Sequence, residues 1–250
     1  MSIAKDSGSP YDRGMWLLER LIFRRLRRRV FPGLRGDVLE LGIGTGVNLP
    51  LYGAGAQVIG CDASERSLGW AARRKTQAPV TLVRADAQRL PFADGSFDVV
   101  TASLVFCSIA DPARGLAEAR RVLRRPEHRG ELVEPPVEGT RPEHRGELVE
   151  PPVEGTRPEP RGELVEPPVE GTRPEPVEGR AGGRLVLLEH TRGSGLGAWL
   201  TDAVGLLWNA WSSECRLNRE TTQAVAEAGF RLERVERHAL GIVRVIKASV

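Results

Sequence analysis

The sequence predicts an α/β protein with a doubly wound parallel sheet. Short apolar runs alternate with helical patterns, as expected of strands joined by helices. The first run ends in a glycine-rich turn, and the second ends in an acid about 20 residues later, a spacing typical of ligand-binding α/β folds. The expected strands are 37–42, 57–62, 80–84, 97–103, 184–189, 230–237 and 241–248, and the expected helices lie near 47–53, 64–75, 111–124 and 218–228.

The first strand leads into three alternating glycines. Residues 38–46 read VLELGIGTG, an apolar run typical of a buried parallel strand, followed by a tight turn in which the backbone approaches a ligand closely. A dinucleotide-binding turn carries glycine at its first, third and sixth positions. Here the sixth position is Val47. The turn therefore disfavours a nicotinamide-dependent oxidoreductase.

Acids follow the second and third strands. Asp62 ends the second strand, where a carboxylate can accept hydrogen bonds from both hydroxyls of a ribose. The alternative is a strand-end or helix N-cap role before Ala63 and Ser64. Asp86 follows the third strand. Asp98 is expected at the start of the fourth strand, away from the site.

Residues 125–180 repeat a 16-residue unit. RPEHRGELVEPPVEGT at 125–140 recurs unchanged at 141–156 and with one change at 157–172, before a truncated copy at 173–180. One Leu-Val pair against at least three prolines cannot bury enough apolar surface to offset the entropy of ordering. We predict a disordered low-complexity insertion at 125–181, interrupting a domain formed by 36–124 and 182–250. A Pro-rich partner-binding segment is the alternative, and in-frame translation of repetitive DNA is our hypothesis for its origin.

An arginine-rich segment precedes the domain. Residues 14–31 alternate apolar side chains with six arginines, and we assign 1–35 to a basic amphipathic helix. Such a helix can lie on an anionic membrane. Alternatively, it caps the active site or packs on the sheet with its arginines in water. Nucleic acid binding is not expected, since no aromatic stacking pattern or recognition motif accompanies the arginines.

Composition excludes several other classes of protein. No run approaches the ~20 apolar residues of a membrane helix, and no apolar stretch near Met1 predicts a signal peptide. The cysteines Cys61, Cys107 and Cys215 have neither metal-binding spacing nor a disulfide pattern. We expect a cytoplasmic protein without a metal, with peripheral contact to the inner face of the membrane as an open alternative.

The glycine turn, with Glu40 before it, resembles motif I of class I S-adenosylmethionine (SAM) methyltransferases, and the later motifs follow that family's order. The resemblance implies a Rossmann-like, seven-stranded fold with SAM as cofactor. Glu40 would orient the methionine portion, and Asp86 with Ala87 would meet the adenine. The cofactor-binding residues expected are Glu40, Gly42, Gly44, Gly46, Asn48, Asp62, Ala63, Asp86, Ala87 and Ser103.

The acceptor is indicated by resemblance as well. Residues 103–109, 188–190 and 215–221 resemble segments of the methyltransferase-like small-thiol S-methyltransferases. In animals that family carries a hydrophobic amino-terminal anchor, where this chain has its arginine-rich segment. The same core also resembles ubiquinone/menaquinone C-methyltransferases and phosphatidylethanolamine N-methyltransferases.

His190 is the candidate catalytic residue. It falls at the carboxyl end of the fifth strand, where its imidazole could take a proton from a thiol or amine. The alternative is a structural histidine beside Glu189. Three tryptophans at helical spacing either wall an apolar acceptor site or pack in the core or a lid; they are Trp199, Trp208 and Trp211.

The expected function is SAM-dependent methyl transfer to a small-molecule, apolar acceptor, a thiol ahead of a phospholipid amine or quinone. A non-catalytic SAM-binding or membrane-surface protein, disabled by its insertion, is the alternative of another class. DNA methylation is not expected, because no Asn-Pro-Pro-Tyr-type motif follows the fourth strand. No partner protein is implied.

Overall fold

A computed structural model describes residues 19–125, 182–199, 201–203, 216 and 218–250. Within this part, seven strands form one sheet in the order β3-β2-β1-β4-β5-β7-β6. The predicted seven-stranded α/β fold is confirmed. The strands are β1 (Gly36–Leu41), β2 (Ala56–Asp62), β3 (Val80–Arg84), β4 (Val99–Ser103), β5 (Arg184–His190), β6 (Arg231–His238) and β7 (Val243–Ser249).

The sheet is mixed, whereas the sequence pattern predicted a parallel one. β1 to β5 pair in parallel, but β7 runs antiparallel to both β5 and β6. The connection between β6 and β7 covers only 239–242. So short a connection can form a hairpin but not the crossover that parallel strands require.

Three helices form close to the positions predicted at 64–75, 111–124 and 218–228, and a further helix forms in the arginine-rich segment. They are α1 (Arg24–Val30), α2 (Glu65–Ala71), α3 (Pro112–Val122) and α4 (Thr221–Glu227); residues 196–199 and 201–203 are helical too. Side-chain caps explain two starting points: Ser64 accepts a hydrogen bond from the Ser67 amide, and Asp111 from the Arg114 amide. Among the described residues, no helix combines the length and the apolar character required to cross a bilayer.

The helix predicted at 47–53 is wrong. Only the single 3₁₀ turn Leu49–Leu51 forms. The turn ends because Tyr52 adopts an extended backbone, with ψ of 132°. This places its hydroxyl 2.8 Å from Glu40 Oε2, to which it donates a hydrogen bond inside the protein.

Each face of the sheet carries its own apolar layer. Alternate residues of β1 point to opposite faces, so Leu39 and Leu41 pack with the layer that contains α3 and α4, and Val38 packs with the layer that contains α1 and α2. Helix α1 is preceded by a π-helical turn, Glu19–Phe23. The buried apolar side chains of this region, Phe23, Leu26 and Val30, pack against the sheet, whereas Leu21 is exposed. The exposed arginines are Arg20, Arg25, Arg28 and Arg29. This geometry matches the alternative in which the segment packs on the sheet. Residues 1–18 of the segment assigned to this helix, 1–35, lie outside the described part.

One arginine ties the amino ends of β1 and β4 together. The Arg124 guanidinium pairs with Asp37 over 2.8 Å and with Asp98 over 2.5 Å. The Asp98 Oδ2 also accepts a hydrogen bond of 2.9 Å from the Asp37 amide. These contacts confirm that Asp98 lies at the start of β4, at the edge opposite the glycine turn.

The two described ends of the repeat region meet at this same edge. The Gly183 amide donates to the Arg124 carbonyl over 2.7 Å. Deletion of 126–181 would make Arg124 and Gly183 the first and fourth residues of a β-turn closed by this hydrogen bond. We expect the shortened protein to unfold cooperatively, with a free energy of unfolding equal to the parent's or higher by up to about 2 kcal/mol, since a shorter loop costs less to close. Chemical denaturation followed by circular dichroism measures this.

The matched control removes the same length of chain, 116–171, and with it the buried residues Leu116, Ala119 and Val122 of α3. That variant should not fold. Loss of cooperative unfolding in the 126–181 deletion would contradict the proposed domain boundaries.

Candidate functional site

A cavity of about 910 Å³ lies where the carboxyl ends of β1 to β4 meet, the edge at which doubly wound sheets bind ligands. Its wall combines the glycine turn, the ends of β2 and β3 and the loop after β4. Arg27 of α1 and the arginines Arg216 and Arg219 complete it. The described residues that line it are Arg27, Gly42, Ile43, Gly44, Thr45, Val47, Asp62, Ala63, Ser64, Arg66, Ser67, Trp70, Ala85, Asp86, Ala87, Ser103, Leu104, Val105, Ser108, Ile109, Ala110, Arg216 and Arg219.

The glycines of the turn serve different purposes. Gly42, Gly44 and Gly46 all have positive φ, at 55°, 56° and 72°, a region that glycine enters without strain. A Cβ on Gly44 would meet only the Gly42 carbonyl oxygen, at 3.9 Å, so the backbone there is open for a ligand. A Cβ on Gly46 would come within 3.0 Å of the Ala71 Cα. Gly46 therefore lets α2 pack against the turn and does not line the cavity.

Asp62 joins the glycine turn to the end of β2. Its Oδ2 accepts a hydrogen bond of 2.9 Å from the Gly44 amide, and its Oδ1 accepts one of 2.8 Å from the Ser64 amide. Ser64, rather than Asp62, caps α2. The Asp62 carboxylate thus stands beside Ala63 at the cavity wall with its position fixed by two backbone donors.

Asp86 stands at the neighbouring position, just after β3. Its Oδ1 accepts hydrogen bonds from the amide of Gln88 at 2.9 Å and from the side chain of the same residue at 3.1 Å. Ala87 lies next to it in the cavity wall and is buried. Two carboxylates from adjacent strands therefore face the same end of the cavity.

Glu40 and Asn48 do not line the cavity, contrary to expectation. Both side chains are 1% exposed and lie behind the glycine turn. Asn48 Nδ2 donates to Glu40 Oε1 over 2.5 Å. Burial raises the pKa of Glu40 to about 7, and the bonds from Asn48 and Tyr52 with the charge of Arg27 only partly oppose this. Glu40 therefore holds Asn48 in place from behind the glycine turn.

Arg27 was missed by the sequence analysis. This α1 side chain is 3% exposed and lines the cavity. Its Nη1 donates to Asn48 Oδ1 over 2.5 Å and to Ser103 Oγ over 2.7 Å. The helical period of the sequence could have indicated its burial, because position 27 falls on the same helix face as the buried Phe23 and Val30.

Glu189 holds the loop that follows β4. This buried carboxylate accepts hydrogen bonds from the amides of Val105 at 2.9 Å, Phe106 at 3.0 Å and Cys107 at 3.3 Å. Leu104, at the head of the loop, has a φ of 62°, unusual for a residue with a side chain. Three backbone donors on one carboxylate stabilise this turn and so position Leu104 and Val105 at the cavity.

Arg219 supports the same loop from the other side. Its Nη1 donates to the carbonyl oxygens of Phe106 at 2.6 Å and Ile109 at 2.7 Å. The segment 215–221, which carries the resemblance to thiol methyltransferases, is therefore tied to the cavity through Arg219, although Cys215 and Leu217 lie outside the described residues.

Known proteins share this domain. Residues 39–126 match the family described as "Methyltransferase domain". A SAM-dependent methyltransferase of Thermotoga maritima has the same fold, with a TM-score of 0.60 at 20% identity over 99% of this chain and 98% of that one. Over residues 39–126 the chain is therefore similar to methyltransferase domains, and its described part has the fold of a SAM-dependent methyltransferase.

Curated relatives act on different acceptors. A phosphatidylethanolamine N-methyltransferase of Cereibacter sphaeroides is 40% identical over 39% of this chain and 49% of its own length. A demethylmenaquinone methyltransferase of Clavibacter sepedonicus is 38% identical over 46% and 50%, and a human thiol S-methyltransferase is 35% identical over 45% and 48%. This chain thus spans about half the length of these relatives.

His190 is not among the residues that line the cavity. Successive β5 side chains point to opposite faces, so Glu189 faces the loop after β4 while His190 faces α1. His190 is buried there, with its ring 5.3 Å from that of Phe23 in an edge-on contact. The arrangement does not support the predicted catalytic role and favours the structural alternative.

The tryptophans and cysteines give little support for a role in the cavity. Trp199 is 66% exposed and does not line the cavity, while Trp208 and Trp211 lie outside the described residues. Cys107 is buried. In the described part of the chain, no group of His, Cys, Asp and Glu side chains could hold a metal ion.

The buried glutamates predict how stability depends on pH. Burial raises the pKa of Glu189 from 4.5 to about 7, with the three amide donors opposing it, and Glu40 behaves alike. Between pH 4.5 and about pH 7, these two carboxyl groups lose their protons in the unfolded chain but keep them in the folded protein. The free energy of unfolding therefore falls as pH rises from about 4.5 to about 7.

We expect Glu189→Gln to weaken this pH dependence, reducing the loss between pH 5 and pH 7.5 by about 1 to 3 kcal/mol. Urea denaturation at several pH values measures it. The exposed Glu227→Gln, with the same change of charge, should keep the parental slope. Equal slopes in all three proteins would contradict the assignment.

Proposed function

We propose that this protein transfers the methyl group of SAM to a small apolar acceptor, with a thiol as the first candidate. The observation that carries the proposal is the placement of Gly44, Asp62 and Asp86 along one cavity at the carboxyl ends of β1, β2 and β3. SAM supplies an electrophilic methyl on a sulfonium. The open backbone at Gly44 and the two carboxylates fit the nucleoside part of this cation.

Seven of the ten expected cofactor-binding residues support this site from the cavity wall. They are Gly42, Gly44, Asp62, Ala63, Asp86, Ala87 and Ser103. We assign Asp62 to the ribose hydroxyls and Asp86, with Ala87, to the adenine. Methyl transfer is an in-line displacement, so holding both reactants in alignment can supply much of the catalysis.

The acceptor side of the cavity favours a thiol. Leu104, Val105 and Ile109 give it an apolar surface. Among the described lining residues there is no histidine, and the two acids, Asp62 and Asp86, are assigned to SAM. A thiol with a pKa near that of cysteine, about 8.5, ionises in part at neutral pH without a protein base, whereas an amine with a pKa near 10 needs one.

We further propose a cytoplasmic protein with peripheral membrane contact. Arg20 and Arg28 of the α1 region are exposed, and exposed arginines can hold an enzyme at an anionic surface, where apolar acceptors partition. The support is the exposure of these side chains together with the apolar acceptor wall.

SAM binding tests the cofactor site. We expect Asp62→Ala to weaken SAM binding by about 100-fold or more, because two charge-assisted hydrogen bonds would be lost and the turn at Gly44 released. Isothermal titration calorimetry measures the dissociation constant. The matched control is Asp94→Ala, since the Asp94 side chain is 77% exposed and pairs with Arg121 away from the cavity. Parental affinity in Asp62→Ala would overturn the ribose assignment.

The acceptor is identified by transfer of labelled methyl from SAM to alkyl thiols, phosphatidylethanolamine and a demethylated quinone. We expect product on the thiols, with a rate that rises with pH up to the pKa of each thiol, because the thiolate forms without a protein base. His190→Gln should leave that profile unchanged. A profile that follows one enzyme pKa for every thiol, and disappears in His190→Gln, would restore His190 as the base.

Product on the lipid amine or the quinone alone would replace the thiol by that acceptor. SAM binding without product on any acceptor would favour the non-catalytic alternative. Repeating the assay on the 126–181 deletion then shows whether the insertion disables the enzyme, since turnover that appears only after deletion would establish the damage.

A further inference from the structure

Arg27 has donors that the protein itself does not use. The Nε atom lies 3.2 Å from Glu19 Oε1, and Nη1 donates to Asn48 and Ser103. The remaining nitrogen, Nη2, donates to none of the residues that the structure describes, and it is not closed off from solvent. A guanidinium that is 3% exposed and keeps two free N–H groups toward a cavity is suited to bind an anion there.

The position of this guanidinium is fixed from several sides. Its carbon lies 5.9 Å from the centroid of the Phe23 ring, which in turn packs on His190. One turn further along α1, Val30 is buried, and the following Phe31 makes an edge-on contact of 5.4 Å with Tyr52. Because α1 is anchored at both ends, the bound geometry of Arg27 exists before a ligand arrives, which lowers the entropy lost on binding.

The order of the strands tells which part of SAM reaches Arg27. The sheet runs β3-β2-β1-β4, with Asp86 after β3, Asp62 at the end of β2 and Ser103 at the end of β4. If adenine lies at Asp86 and ribose at Asp62, the remainder of the molecule crosses the glycine turn toward Ser103. That remainder is an amino acid, whose carboxylate is the one anionic group of SAM.

We propose that Arg27 binds the carboxylate of the methionine portion of SAM through Nη2, an inference that rests on the proposed function. Asn48 and Ser103 then act as positioning residues, since both accept from Nη1 and turn Nη2 to the cavity. Glu40 acts one step further away, through its bond to Asn48. Glu19 balances the charge of the guanidinium locally, because its carboxylate pairs with Nε and not with Nη2.

A pair of ligands that differ only in the amino acid part tests this proposal. We expect Arg27→Met to weaken the binding of S-adenosylhomocysteine by about 10- to 100-fold, the value of a charge-assisted hydrogen bond pair. Binding of 5′-methylthioadenosine, which has the nucleoside and the thioether but no carboxylate, should change less than about 2-fold. The matched control is Arg25→Met, an exposed arginine of the same helix, which should bind both ligands as the parent does.

A second measurement on the parent protein does not depend on how Arg27→Met folds. The parent should bind decarboxylated SAM about 10- to 100-fold more weakly than SAM, because the ligand then lacks the carboxylate that Arg27 would bind. Equal affinities in the parent, or equal losses for S-adenosylhomocysteine and 5′-methylthioadenosine in Arg27→Met, would overturn the proposal. A parent that binds neither of these last two ligands would instead overturn the proposed function.

Discussion

The parallel pairing of β1 with β2 on one side and β4 on the other is the constraint on which the site depends. Leu41 pairs with Cys61 and with Ala102, so the three strands reach the same edge of the sheet together. The glycine turn, Asp62 and Ser103 follow directly after these strands, so the strand pairing brings them into one wall of the cavity. Pairing β5 beside β4 adds Glu189, which then secures the loop after β4. Residues distant in sequence meet because backbone hydrogen bonds align the ends of their strands.

The site is supported by two carboxylates buried at its back, each beside one of its loops. Glu40 lies behind the glycine turn and Glu189 behind the loop after β4, and burial raises the pKa of both to about 7. Such groups reduce stability at neutral pH, because the protein must desolvate a charge or hold a proton. Each glutamate instead fixes the position of the groups around it, because it accepts two or three hydrogen bonds from side chains or backbone amides that would otherwise be free to move. Functional sites often show this exchange of stability for position.

The edge of the sheet opposite the cavity, at the amino ends of β1 and β4, carries the Arg124 ion pairs and the point where the repeat is inserted. Arg124 with Asp37 and Asp98 joins the amino ends of β1 and β4 there, and the chain leaves and re-enters the domain between Arg124 and Gly183. The whole height of the sheet separates this point from the cavity. An insertion at this edge leaves the strand pairing and the ligand wall unchanged, and this is the physical basis for expecting the domain to tolerate 56 residues of repeat.

Sequence alone determined the seven strands, their approximate bounds, and the acids and glycines that end them, because these depend on local periodicity and on turns that few residues can form. Tertiary structure decided which side chains reach the cavity. Glu40 and Asn48 are adjacent to the turn in sequence yet lie behind it, whereas Arg27 comes from a separate helix and enters the cavity wall. His190 and Glu189 are neighbours on one strand, but they point to opposite faces of the sheet, and only the packing of α1 on one face shows that His190 is covered by Phe23. Periodicity says that two residues face opposite ways; which face holds the ligand is set by what packs on each.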